Sequence, residues 1–167
     1  MKNFESQLVE YIPRLRRYAR ALSGNTHAAD DLVQDTLERA LIKKSLWRTG
    51  SRLRPWLFTI MHNIYVNQIR RHSTSPQMQE LDDNIRDTSD TPESIYFAQQ
   101  LQYSINMLPD DHKEIFLLVS LEGFGYEEVA GIMNIPVGTV MSRLSRTREK
   151  LRKQVSDQKK FQLRRVK

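Results

Sequence analysis

Apolar residues recur at helical spacing along most of this chain, and the breaks between the runs carry turn residues. The sharpest case lies between Gly125 and Lys153. Tyr126, Val129, Ala130 and Met133 stand at i, i+3, i+4 and i+7, one face of a short helix. Asn134, Ile135 and Pro136 interrupt it. Asn tolerates a left-handed helix end, and Pro suits the start of a helix but not its middle. Val137, Val140, Leu144, Leu151 and Val155 then mark the buried stripe of a longer helix. Its other face carries Thr139, Ser142, Arg143, Ser145, Arg146, Glu149 and Lys150. This is the pattern of a helix-turn-helix whose second helix enters a DNA major groove. A plain helical hairpin with a solvated basic face has the same periodicity, which leaves both readings open.

The N-terminal half predicts three helices. Over 3–22, Phe4, Leu8, Tyr11, Ile12, Leu15, Tyr18, Ala19 and Leu22 form the stripe, and Pro13 should kink or divide it. Ser23-Gly24-Asn25 ends this run, and Asn25 or Thr26 caps a second helix reaching about Lys44. The inner face of that helix is Ala29, Leu32, Val33, Thr36, Leu37, Ala40 and Leu41. Its outer face holds Asp30, Asp31, Gln34, Asp35 and Glu38, either solvated or docked on a protein. Residues 45–51 form a loop whose Trp47 either tucks against its own domain or makes an external contact. The third helix runs from about Leu53 to Arg71, with Trp56, Leu57, Ile60, Met61, Ile64 and Ile69 inward. Asn63, Asn67, Arg70 and Arg71 follow at i, i+4, i+7 and i+8. Asn and Arg are the side chains that hydrogen-bond base edges and phosphates.

Residues 73–92 are rich in Ser, Thr, Asp and Pro and lack apolar periodicity, so they read as a linker. A flexible chain of that length spans about 25 Å on average. Helices resume at Pro92-Glu93, with Ile95, Ala98, Leu101, Ile105 and Leu108 inward. An Asp after Pro109 caps the next, which carries Ile115, Phe116, Leu118, Val119 and Leu121. The fold class is therefore all-α: two small helical domains, 1–72 and 93–155, joined by the acidic linker 73–92. A basic tail, 156–167, is expected to fray.

Charge sharpens this picture. The chain of 167 residues has net charge +6 and a sequence pI near 9.7, which suits an anionic partner. The net charge is +7 over residues 1–72, −4 over 73–92, −6 over 93–136 and +9 over 137–167. The recognition-helix candidate and the tail are thus strongly basic, and the helices before them acidic. Cysteine is absent, which excludes disulfides and thiolate metal sites. His27, His62, His72 and His112 lie far apart without ligand spacing, so no metal is expected. No Gly-rich phosphate loop or nucleophile–base pair supports an enzyme, and no catalytic residue or cofactor is expected. No stretch approaches the length of a membrane span and no signal sequence opens the chain, so a soluble, cytoplasmic protein is expected.

Three segments in order resemble a known family: ADDLVQDTLERAL at 29–41, RPWLFTIMHNIYVNQIRR at 54–71, and the stretch from Leu108 to Arg152. The chain resembles an RNA polymerase sigma factor of the extracytoplasmic-function (ECF) group, group 4 of the sigma-70 family. The likeness covers about residues 4–155. It implies a region 2-like domain, a region 4-like domain and a dissociable subunit that directs core polymerase to promoters. The resemblance assigns Asp31, Gln34, Asp35 and Glu38 to docking on the clamp helices of the largest polymerase subunit, with a second contact at the flap. It assigns Trp47, Asn63, Asn67, Arg70 and Arg71 to recognition and opening of the −10 element, with Trp56 and Phe58 in the melting region. Thr139, Ser142, Arg143, Ser145 and Arg146 become the −35 reader. An anti-sigma factor is the further partner implied. Met141 departs from the family's usual Lys or Arg, Gly125 from its Ser cap, and Asn134 from its turn Gly. A helix-turn-helix regulator that never docks on polymerase and a sigma mimic are the competing readings.

Overall fold

A computed structural model describes residues 2–48, 50–72 and 91–165. The linker expected at 73–92 lies outside these except for its last two residues. Among the described residues are seven α-helices, one 3-10 turn and no strand. In the N-terminal half, α1 (Phe4–Ser23), α2 (Thr26–Ile42) and α3 (Leu53–His72) pack together, with the 3-10 turn at Lys44–Leu46. Asn3 caps α1 by accepting from the Ser6 N–H at 2.8 Å, and Gly24 ends it in the left-handed region at φ +65°. Asn25 caps α2 through the Ala28 N–H at 3.0 Å. Pro13 does not divide the helix: α1 runs through it. Pro13 sits on the exposed face, where water can take the carbonyl that its missing N–H leaves unpaired.

The C-terminal half consists of α4 (Pro92–Asn106), α5 (Asp110–Ser120), α6 (Tyr126–Met133) and α7 (Val137–Arg165). The turn between α6 and α7 has Asn134 at φ 53°, ψ 50°, so Asn takes the left-handed place of the usual Gly. Gly125 has no side chain to cap α6, and only the returning half of a capping box is present: Glu128 accepts the Gly125 N–H at 3.0 Å. Pro109, not an Asp, occupies the cap position of α5. Asp110 and Asp111 stand in its first turn, where the helix dipole favours negative charge, and their carboxylates have other partners. Val140, Leu144 and Leu151 are buried as expected, whereas Val137, the first residue of α7, is exposed. Tyr126 and Leu41, at the ends of their helices, and Ala98, in the middle of α4, all expected inward, are exposed. The tail does not break off at residue 156; α7 extends to Arg165.

The two halves share one continuous core. Phe58 of α3 lies edge-on between Tyr18 at 5.1 Å and Phe124 at 5.2 Å. It is therefore buried in the seam and not available on an open surface. The Arg54 guanidinium lies 3.9 Å from the centre of the Phe124 ring. Beneath it Glu122, with no exposed side-chain surface, pairs with Arg17 at 3.2 Å and Arg54 at 3.7 Å. Arg54 also donates to the Glu122 carbonyl. His62 Nδ1 lies 2.6 Å from Glu114 Oε2, the Tyr65 hydroxyl donates to Asp110 at 3.2 Å, and Arg52 pairs with Glu128 at 3.1 Å. Lys113 donates to the Leu22 carbonyl in the last turn of α1 at 3.4 Å.

The −6 charge of residues 93–136 thus meets the +7 of residues 1–72 across the seam, and segregation along the chain becomes complementarity in space. Burying one large aromatic contributes about 1.5–3 kcal/mol. A neutral hydrogen bond contributes about 1 kcal/mol net. Phe58 and Phe124 therefore supply much of the adhesion, and the ion pairs set the register.

Glu122→Ala should leave the half-buried Arg54 without its carboxylate. It is expected to destabilise the closed form by about 2 kcal/mol and to raise the radius of gyration in small-angle scattering. An unchanged radius and unfolding midpoint would rule out Glu122 as the latch. Burial pushes the Glu114 carboxyl above the usual carboxylate range, and the His62 hydrogen bond pulls it partly back. A raised folded-state value means that Glu114 holds its proton more tightly folded than unfolded. Its contribution is then present at acid pH and is lost as pH rises from about 4.3, the unfolded value, through the folded value. Wild-type stability should accordingly fall relative to Glu114→Gln over that rise in chemical denaturation. A constant difference between the two would contradict this.

Candidate docking face and nucleic-acid interface

Three surface patches carry the residues singled out in the sequence. The first is the outer face of α2. Leu32, Val33, Thr36 and Ala40 are buried, so helical geometry turns Asp31, Gln34, Asp35 and Glu38 outward, and all four are exposed. Buried Thr36 is satisfied by donating to the Leu32 carbonyl at 2.7 Å. Asp31 lies 3.6 Å from His27 and Asp35 accepts from Gln68 at 3.4 Å, both loose surface contacts. Beyond the acids, Leu41, Ile42 and Leu46 are exposed in sequence, with Ile42 at 74%. An acidic face that ends in an apolar rim has the make-up of a protein-docking surface more than of a merely solvated one.

The second patch is the outer stripe of α3. Asn63, Asn67, Arg70 and Arg71 are all exposed on it. A cleft between α2 and α3, lined by Asp35, Glu38, Arg39, Ile42, Asn67 and Arg71, joins this stripe to the acidic face. Periodicity could not foresee that junction, because it depends on how α2 crosses α3. Trp47 is not part of the stripe. It is half-buried, with its ring 5.4 Å from Phe4, and Trp56 also meets Phe4, edge-on at 6.2 Å. Helical rise puts Asn63 and Asn67 about 10 and 16 Å further along α3 than Trp56. Trp47 is tucked against its own domain, and its indole N–H is buried without a protein partner.

The third patch is the start of α7. Ser142, Ser145 and Arg146 are exposed, and Thr139 and Arg143 are half-buried. Ser142 donates to the Thr139 carbonyl at 3.2 Å. Met141 is exposed and adds no charge. Arg143 Nη1 lies 2.7 Å from Asp111 Oδ2, a partner on α5. Thr147, one turn on, is buried, donates to the Arg143 carbonyl at 2.8 Å and lies 3.2 Å from His112 Nδ1. The spacing of α7 could not reveal these partners, since they come from a different helix.

Among the described residues no group of three or more His, Asp or Glu could hold a metal ion. No helix among them is long and apolar enough to cross a membrane.

Residues 8–62 match the family model described as the Sigma2 domain of PhyR, and residues 98–151 match Sigma-70, region 4. The chain is 35% identical over 152 residues to the ECF RNA polymerase sigma factor EcfG of Rhodopseudomonas palustris, covering 89% of this chain and 83% of that one. It is 30% identical over 158 residues to the ECF RNA polymerase sigma factor SigE of Mycolicibacterium smegmatis, covering 91% of this chain and 61% of the relative. The structure superposes on the sigma factor RpoE of Bartonella quintana, solved in complex with the anti-sigma factor NepR. The TM-score is 0.81 at 32% identity, over 93% of this chain and 98% of the other. With region 2 and region 4 helices in this order and arrangement, the chain belongs to the ECF family of RNA polymerase sigma factors.

Proposed function

We propose that this chain binds core RNA polymerase in the cytoplasm, directs it to specific promoters and leaves the chemistry to the polymerase. In this reading residues 1–72 form the region 2-like domain, 73–92 the linker and 93–155 the region 4-like domain. The matched spans 8–62 and 98–151 fall inside the two domains. Asp31, Gln34, Asp35 and Glu38 dock on the clamp helices, and the C-terminal domain takes the flap. Asn63, Asn67, Arg70 and Arg71 engage the −10 element. Flipping a base out of the stack costs a few kcal/mol, which amide and guanidinium contacts on an exposed helix can offset. Trp47 serves this region from behind, by holding the loop before α3 against Phe4. Thr139, Ser142, Arg143, Ser145 and Arg146 read the −35 element in intact duplex. An anti-sigma factor is the remaining partner. In support, the closed arrangement of the two halves superposes on a sigma factor held by one.

The single observation that carries the reading is the presence of both surfaces in one chain: an acidic, apolar-rimmed face on α2 and a Ser/Arg face on α7. A regulator that only binds DNA has no use for the first, and a mimic that only titrates an anti-sigma factor has no use for the second.

Reconstitution with core polymerase and a promoter library tests it. Sequence-selective runoff transcripts are expected, and a folded protein that yields none would end the proposal. Asp31→Lys with Asp35→Lys should weaken polymerase binding roughly 30-fold or more, about 2 kcal/mol, and leave duplex binding by α7 intact. Equal polymerase affinity in that variant would remove α2 from the interface. Arg146→Ala should cost about 1–3 kcal/mol at one base pair of the upstream element, measured as the affinity ratio of matched to mismatched duplexes. A uniform loss across all sequences would make Arg146 a phosphate contact instead.

A further inference from the structure

We propose that Asp111 is a positioning residue for promoter reading: it holds the Arg143 guanidinium for base contact and against phosphate capture, exchanging general DNA affinity for sequence selectivity. The proposal rests on α7 being the −35 reader.

Asp111 is itself anchored. It stands in the first turn of α5, where the helix dipole stabilises its charge, and its Oδ1 accepts the His112 N–H at 3.0 Å. Its other oxygen takes Arg143 Nη1 at 2.7 Å, within the range of a charge-assisted bond. The adjacent residue reaches α7 one turn further on, where His112 Nδ1 lies 3.2 Å from the hydroxyl of buried Thr147. That hydroxyl donates to the Arg143 carbonyl, so the side chain and the backbone of Arg143 are both tied to the first turn of α5. The ion pair is partly exposed, with the side chains 33% and 41% accessible. It is therefore open to a duplex laid along α7.

Three consequences follow from the chemistry. A guanidinium has five N–H donors in a planar fork, and an ion pair through Nη1 leaves the rest for the N7 and O6 acceptors of a guanine. Tying the side chain removes rotamer freedom that an unrestrained Arg would lose on binding. The neighbouring carboxylate cancels the local charge and repels phosphate, so the backbone contact that every sequence offers becomes the less favourable choice.

The test uses the full chain with core polymerase and duplexes carrying the upstream element, bound at several salt concentrations. Arg143→Ala first identifies the base pair that it reads. Asp111→Ala should then raise affinity for unrelated duplex severalfold and cut discrimination at that base pair about tenfold. It should also steepen the slope of log affinity against log salt by about 0.9, one added phosphate contact. Asp111→Glu should restore part of the discrimination. Asp111→Asn keeps an acceptor but not the charge, and should shift the salt slope even if the Ala variant folds poorly. In the Arg143→Ala background, Asp111→Ala should change neither selectivity nor slope. Uniform weakening on all duplexes, or an undiminished effect in the Arg143→Ala background, would overturn the positioning role alone. No effect of Arg143→Ala on selectivity or slope would overturn the reading of Arg143 as a DNA contact, and this proposal with it.

Discussion

The arrangement of this molecule depends on one buried carboxylate. Glu122 lies just beyond the end of α5 with no side-chain surface exposed, and a buried carboxylate costs several kcal/mol unless it is paired. Its partners, Arg17 and Arg54, come from α1 and α3 of the other half. Neither half can satisfy this group alone. The aromatic contact of Phe58 with Phe124 lies beside it, so apolar adhesion and charge pairing act at the same point. Together they set α6 against α3 and thereby fix where the helix-turn-helix stands relative to the acidic face of α2.

The seam also divides the surface of α3 between two roles. Arg54, His62 and Tyr65 of α3, with Arg52 just before it, meet the acids of α5, α6 and the turn between them. Asn63, Asn67, Arg70 and Arg71 remain on the outside. Basic groups near the start of α3 are paired to acids within the chain, and Arg70 and Arg71 at its end lie on the exposed surface. Lys113 follows the same logic at lower charge. Burial lowers its pKa, and its ammonium is turned to the carbonyl end of α1.

A related balance governs α7. A helix with 11 basic groups from its start to the end of the chain would bind any nucleic acid. Pairing Arg143 to a carboxylate on α5 offsets one of these charges near the start of the helix. Serines at 142 and 145 add hydrogen-bonding capacity without charge.

Periodicity and turn chemistry in the sequence determined the seven helices, the left-handed turn at Asn134, the cap at Asn25 or Thr26, and the outward placement of the acidic, Asn/Arg and Ser/Arg faces, whereas the Asn3 cap came from the structure. These are local properties: helical spacing decides which side chains share a face, and apolar content decides which face turns inward. The three family segments added the function, because their residues match in order over almost the whole chain. Only the tertiary structure decided that Phe58 is a seam residue, that Trp47 is packed away from Asn63 and Asn67, and that Asp111 holds Arg143 when it could have capped α5. It also decided that Leu41 and Val137 lie at margins where no neighbour covers them, and that Pro13 leaves α1 whole. Each of these outcomes depends on a group distant in sequence, or on the absence of one. Charge segregation was visible in the order of residues, but its meaning as attraction between two halves required both halves to be in place.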